Sequence, residues 1–287
     1  MRGSKQEATK GTYKNTTNNL RGNLLWRNGA EKPLPRGAQR KMAISKVELE
    51  AKLGTGALTE HPHRYGVTVY SFTAAGKDAV STWRKLRQSA PSLGFWPVIF
   101  GEPKNLERIS EAFAGEYAED PRKTIQRAIG EDVQKFFQER AEEFSGEGAH
   151  GQWPNSAEAM MDFTIPRRIL EPSKFHEIVS IGLVPAGHCW EAPGVLSFGG
   201  WNDCPDATNQ VAVLRYWNEI YGAEFVGLSG DVMELEPARK PSTREEALKL
   251  AHEQYWFCYD IVEQGVGTIE NLAVGLLTSS VWYFWWD

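Results

Sequence analysis

Past residue 60 the chain alternates between two hydrophobic periods. Val67-Thr68-Val69-Tyr70-Ser71-Phe72 alternates in the manner of a strand, and Lys77 to Gln88 follows with helical spacing. Phe95 to Phe100 is a short apolar run of strand length. Glu119 to Phe144 sets Ile125, Ile129, Val133, Phe136, Phe137 and Phe144 among charges, which predicts one long amphipathic helix. A glycine-rich break, Ser145 to Gly151, comes next. Beyond it, Ile178 to Val184 and Gly194 to Phe198 read as strands, and Asp206 to Tyr221 as a helix with Val211, Leu214, Trp217 and Tyr221 on one stripe. Strands follow at Ala223–Leu228 and Val232–Leu235. Ser242 and Thr243 stand three residues before Glu245 and Glu246, the spacing of a capping box. They open a helix predicted to reach Glu263, with Ala247, Ala251, Tyr255, Cys258 and Val262 inward. Gly265 ends it, and Thr268 caps one more helix.

Val281-Trp282-Tyr283-Phe284-Trp285-Trp286-Asp287 closes the sequence with five consecutive aromatic residues. Alternate side chains of a strand face opposite ways, so this segment is aromatic on both faces and needs cover on both. It is expected to be a central, buried strand. Strands separated by helices argue an α/β or α+β fold, a mixed sheet with helices packed on it.

Charge divides the chain unevenly. Residues 1–60 hold 12 Lys/Arg against 5 Asp/Glu, and the remainder 20 against 32. The basic stretch is poor in apolar residues, only Met42 to Leu53 looks helical, and Lys32-Pro33-Leu34-Pro35-Arg36-Gly37 interrupts regular structure. The expected organisation is a largely disordered basic arm over 1–60, with order beginning near Gly66. An α/β segment over 61–144, a glycine-rich linker over 145–157 and a C-terminal α/β domain over 158–287 follow. Whether the two ordered parts share one sheet is left open by the sequence. The arm lacks the aromatic and basic interleaving of nucleic-acid surfaces, which argues against nucleic acid as a partner. No apolar run has the length of a membrane span, and three cysteines give neither a disulfide framework nor a paired metal spacing. A soluble cytoplasmic protein without a membrane partner is expected.

From Ile178 onward the chain resembles the family called domain of unknown function 4253. Three strings carry the likeness best: Phe198-Gly199-Gly200-Trp201-Asn202-Asp203-Cys204-Pro205, Cys258-Tyr259-Asp260-Ile261-Val262-Glu263-Gln264-Gly265-Val266-Gly267, and Trp282 to Asp287. Val213 to Trp217, Tyr221 to Glu224 and His252 to Tyr255 add to it. The resemblance implies a relationship and a bacterial setting, and no mechanism.

Candidate chemistry concentrates at Gly199, Gly200, Trp201, Asn202, Asp203 and Cys204, where a strand is expected to end and a helix to begin. A helix start presents unpaired N–H groups that suit an anion, and it can lower the pKa of a thiol such as Cys204. The alternative is a tight turn in which Trp201 packs in the core and Asn202 or Asp206 caps the helix. The glycine and lysine spacing of a P-loop or dinucleotide site is missing. A second candidate cluster is His252, Glu253 and Asp260 on one helix. His252 has Trp256 four residues later, so the zincin pattern fails, and a metal there needs ligands such as His188 or Asp287 from elsewhere. Asp287 is expected to meet Arg215 or the Gly199–Asp206 turn. No cofactor motif and no metal site emerges.

Two functions fit these residues. The first is a non-catalytic module, of immunity or accessory type, that binds a protein or a small ligand. The second is a hydrolase or transferase reacting through Cys204 or Asp203 with His188 or His252. A convergence of Cys204, a histidine and a carboxylate in an open pocket favours the second; scattered or sealed groups favour the first.

Overall fold

Two strands buried along their whole length, Trp96–Gly101 and Val179–Val184, pair at the heart of the sheet although about 80 residues separate them. The computed structural model describes residues 44–144, 149–155 and 162–287, which lie in one unit, Lys41–Asp287. In chain order its elements are α1 (Lys46–Leu53), β1 (Thr59–Pro62), β2 (Thr68–Ala74), α2 (Ala79–Leu93), β3 (Trp96–Gly101) and α3 (Pro103–Ala114). Then come α4 (Pro121–Gly130), α5 (Val133–Glu143), β4 (Arg167–Arg168), β5 (Glu171–Phe175), β6 (Val179–Val184) and α6 (Ala192–Val195). The remainder is α7 (Ala207–Tyr221), β7 (Glu224–Leu228), β8 (Val232–Glu236), α8 (Arg244–Phe257), α9 (Ile269–Leu276) and β9 (Trp282–Trp285).

Seven strands form a mixed sheet in the order β1-β2-β6-β3-β7-β8-β9, with β4 and β5 as a separate hairpin. Only β3 and β7 run parallel; the other neighbours are antiparallel. Because β3 lies between β6 and β7, strands from both sides of residues 145–157 share one sheet. The fold is thus the mixed α/β sheet expected, with one organisational question answered.

The aromatic strand β9 is buried but not central. It pairs with β8 alone and forms the sheet's edge. Trp282 and Phe284 are fully buried, whereas Tyr283 and Trp285 on the opposite face are half-buried. Its free edge is closed by the chain following α8, where the Cys258 thiol donates to Trp285 O at 3.0 Å. Covering an edge removes the same pairing hazard that a second neighbouring strand would remove. On the buried face Trp217 of α7 stacks 5.5 Å from Phe284, with Trp282 and Phe257 edge-on at 5.7 and 5.1 Å. Each such ring removes about 2–3 kcal/mol worth of apolar surface from water.

Four local expectations need correction. The helix over Glu119–Phe144 is two helices, broken where Gly130 ends α4 and Asp132 caps α5 by accepting from Gln134 N and Lys135 N. Gly194–Phe198 is not a strand: Pro193 opens the short helix α6, and Ser197 takes a left-handed φ of 50°. The helix opened by Thr243 stops at Phe257 instead of Glu263, and a π-helical turn, Ile261–Val266, follows. Order begins before Gly66, since Ser45 and Glu48 form a reciprocal capping box on α1 and β1 pairs with β2. The basic arm up to residue 43 lies outside the described residues, as do 145–148 and 156–161. The described part of the expected linker is largely exposed but is tied to α9: Ala149 is buried and accepts from Ile269 N, and Gly151 N donates to Glu270.

Candidate functional site

The Phe198–Asp206 segment is shaped by backbone that only small or turn-tolerant residues supply. Gly199, Gly200 and Asn202 have φ of 103°, 82° and 46°. Gly200 N donates to Cys204 O and Pro205 O at 3.1 and 3.2 Å, and Cys204 N to Trp201 O at 3.0 Å. The turn delivers Asp206 to the start of α7, where its carboxylate accepts from Asn209 N at 2.8 Å. The helix end is therefore capped by the protein itself. Cys204 points inward at 4% exposure, and burial pushes its thiol well above the ordinary range. Its side-chain partner is Gln210 Nε2 at 3.3 Å, with no histidine beside it.

Three distant segments meet at this turn. Asn202 Nδ2 donates to Asp287 O at 2.7 Å, and Asp287 N donates to Asp260 Oδ2 at 3.1 Å. Asp260 is buried and also accepts from Gln264 Nε2 at 2.8 Å. Trp201 and Phe198 pack edge-on against Trp286 at 6.5 and 5.9 Å. Tyr259 lies beside Asp203; partial burial and the carboxylates of Asp260, Asp203 and Asp287 raise its hydroxyl pKa. These contacts join the turn, the chain beyond α8 and the end of β9 into one rim.

Across from that rim stands α5. Between them opens a cleft of about 410 Å³, with Phe136, Glu139, Arg140 and Glu143 on the helix side and Asn202, Asp203, Cys204, Pro205 and Asn209 on the turn side. Arg140 ties the two walls together. Its Nε donates to Trp256 O at 3.1 Å, one terminal nitrogen to Glu143 Oε2 at 2.7 Å and the other to Asp203 O at 3.3 Å. The guanidinium also sits 4.2 Å from the Phe144 ring centroid.

Other candidates are placed elsewhere. Arg215 pairs with Glu219 at 2.9 Å and donates to Ile129 O, so the meeting with Asp287 falls to the turn alone. His252 donates through Nδ1 to Leu248 O at 2.7 Å and packs near Trp256 and His150; burial lowers its pKa. Glu253 is buried against α7, accepting from Tyr216 OH and Trp217 Nε1, and burial raises its pKa. Of the second cluster only Asp260 reaches the rim. His188 is exposed, stacked on Trp190 at 5.0 Å. Among the described residues no group of three His, Cys, Asp or Glu side chains is arranged to hold a metal ion, and no helix is long and apolar enough to cross a membrane.

Sequence reasoning missed the whole α5 wall and Tyr259. A signal existed: Val133, Phe137, Arg140 and Phe144 follow helical spacing, so Arg140 is a charge in the apolar register. No curated protein and no solved structure matches the chain. Residues 180–287, which run from β6 through β9 and hold all three segments of the rim, match the family described as Domain of unknown function (DUF4253).

Proposed function

We propose that the protein is a non-catalytic recognition module that receives a ligand group in the cleft between α5 and the Asn202–Pro205 turn. The observation that carries this reading is the division of labour at the site. The reactive candidates do not converge: Cys204 is buried, His252 is bonded to its own helix, Asp260 holds backbone and Gln264, and no histidine lines the cleft beside Asp203. The cleft beside them is open and carries polar groups on both walls. A rim fixed by hydrogen bonds from three segments suits binding, because a pre-organised site loses little freedom on occupation. A hydrolase or transferase reading needs Cys204 or Asp203 accessible and next to a histidine such as His188 or His252.

Titrating the 15N-labelled full chain with mixed amines, acids, sugars and short peptides tests this. At least one class is expected to shift the amides of Asn202–Cys204, Asn209 and Glu139–Glu143, with the compound recovered unchanged. The double variant Cys204→Ala, His252→Ala is expected to give the same shifts. Shifts by no class, or turnover that the double variant loses, would remove the reading.

A further inference from the structure

We infer that His150 and His252 hold a divalent transition-metal ion between their Nε2 atoms, where residues 149–151 cross the packed pair α8 and α9. Neither histidine lines the cleft, so this site is independent of what the cleft binds. The two rings come from distant parts of the chain, yet their centroids stand 5.5 Å apart at an inclination of 46°. Two imidazoles on one tetrahedral ion, each with a metal–nitrogen distance of about 2.1 Å, place their centroids about 5 Å apart.

An independent observation lies on the far side of each ring. His252 Nδ1 donates to Leu248 O at 2.7 Å, and His150 Nδ1 meets Glu270 Oε1 at 3.4 Å. A ligating imidazole ordinarily has its other nitrogen on a backbone carbonyl or a carboxylate, which fixes the tautomer and presents the lone pair. Both rings have that support. The two nitrogens of an imidazole point nearly opposite ways, so each Nε2 faces away from its anchor. Neither Nε2 has a hydrogen-bond partner among the described residues. The backbone around His150 is pinned as well: Ala149 O accepts from Ile269 N at 2.6 Å, and Gly151 N donates to Glu270 Oε2 at 2.6 Å. His252 rides on α8, with Trp256 packed 5.6 Å away as an apolar wall.

A pair of imidazoles without thiolates suits zinc, nickel or copper, whereas magnesium and calcium take oxygen. No third His, Cys, Asp or Glu completes the set among the described residues, which leaves the remaining positions to water or to a partner's group. An ion seated here staples residues 149–151 to α8.

Calorimetric titration of the chelator-treated full chain with zinc chloride tests this, with magnesium chloride as the oxygen-seeking control. Zinc is expected to bind with a Kd of about 10 μM, and magnesium not to bind at about 1 mM. His150 is exposed, so His150→Ala is expected to keep the melting temperature of the metal-free protein and to weaken zinc at least about tenfold. His252→Gln is expected to weaken it equally. Glu270→Gln keeps an acceptor for Gly151 N and is expected to weaken zinc roughly tenfold through the His150 ring. His188→Ala removes an exposed histidine elsewhere and is expected to change nothing. In 15N-histidine spectra zinc is expected to move both Nε2 signals while His252 Nδ1 stays protonated.

Zinc that fails to bind at up to about 1 mM, magnesium that binds equally, or His150→Ala that binds as the parent does would each overturn the site. A loss in His188→Ala as large as in His150→Ala, or a Glu270→Gln affinity equal to the parent's, would mean an adventitious ion only and overturns it too. Should His252→Gln fail to fold, His150→Ala and the histidine spectra decide by themselves. Failure here leaves the recognition reading of the cleft standing.

Discussion

Glu234 shows how far a single side chain can depart from its ordinary chemistry. It sits mid-strand in β8 at 1% exposure and accepts from Thr164 N, Thr164 Oγ1 and Ile165 N. Burial pushes its carboxyl up to about 7, with the Thr164 and Ile165 donors pulling the other way and Asp162 adding to the rise. Unfolded, the group titrates near 4.5. Between those values the folded chain holds a proton that the unfolded chain has released, so stability is full below about 4.5 and falls as pH rises through about 7. The expected loss is roughly 3 kcal/mol, read by urea unfolding across pH, and Glu234→Gln should flatten that slope. A parent protein that gains stability relative to the variant over this range contradicts the assignment. Cys189, Cys204 and Cys258 are all buried with raised pKa values, so none should react with a thiol reagent until the protein unfolds. Prompt labelling of native Cys204 would return it to the list of nucleophiles. At this scale the sequence located the turn, but direction of pointing decides whether Cys204 is reactive or inert. Composition does not carry that direction.

Elements were legible where one period ran without interruption. β2, β3, β6, α7 and the start of α8 fall within a few residues of their hydrophobic patterns. Misreadings arose where a cap or a turn overrode the period: Asp132 restarts a helix inside a continuous apolar stripe, and Pro193 makes a helix from a strand-like run. The Phe198–Asp206 turn gives two contrasting tests of backbone demand. A Cβ on Gly199 would stand 2.0 Å from Pro205 O at a φ that side chains avoid. Gly199→Ala is therefore expected to cost more than about 2 kcal/mol and to disturb the Asn202 amide. Gly130, at the end of α4, has nothing near its absent Cβ. Gly130→Ala should be neutral or stabilise by about 0.5 kcal/mol. Equal melting temperatures for the two variants would mean that the turn is not constrained. Asp206→Ala tests the α7 cap by itself, with an expected loss of about 1 kcal/mol.

For the whole molecule, strand order was what the sequence withheld. Period reveals that a segment is a strand, whereas neighbours are chosen by packing across long separations. Hence β9 reads as central from its own residues yet lies at the edge, sealed by Cys258 and the π-helical turn. The candidate cleft was half legible for the same reason: one wall lies in the strings quoted above, and the other is α5, outside the family-matched residues 180–287. The shared sheet also predicts how the chain can be divided. A fragment of residues 158–287 lacks β3, which bridges β6 and β7, and should show no cooperative unfolding transition. Supplying residues 44–144 in trans would be expected to restore one; a cooperative transition in the fragment by itself would refute the dependence.

The position of β3 bears on the chain's birth at the ribosome. This strand, buried at every residue, emerges some 80 residues before β6 and some 120 before β7. At ordinary elongation rates it spends several seconds with neither flank occupied. A sticky segment left waiting that long invites association with other nascent chains. Production yield should therefore track holdase chaperone supply during translation more closely than it tracks the thermal stability of the finished molecule.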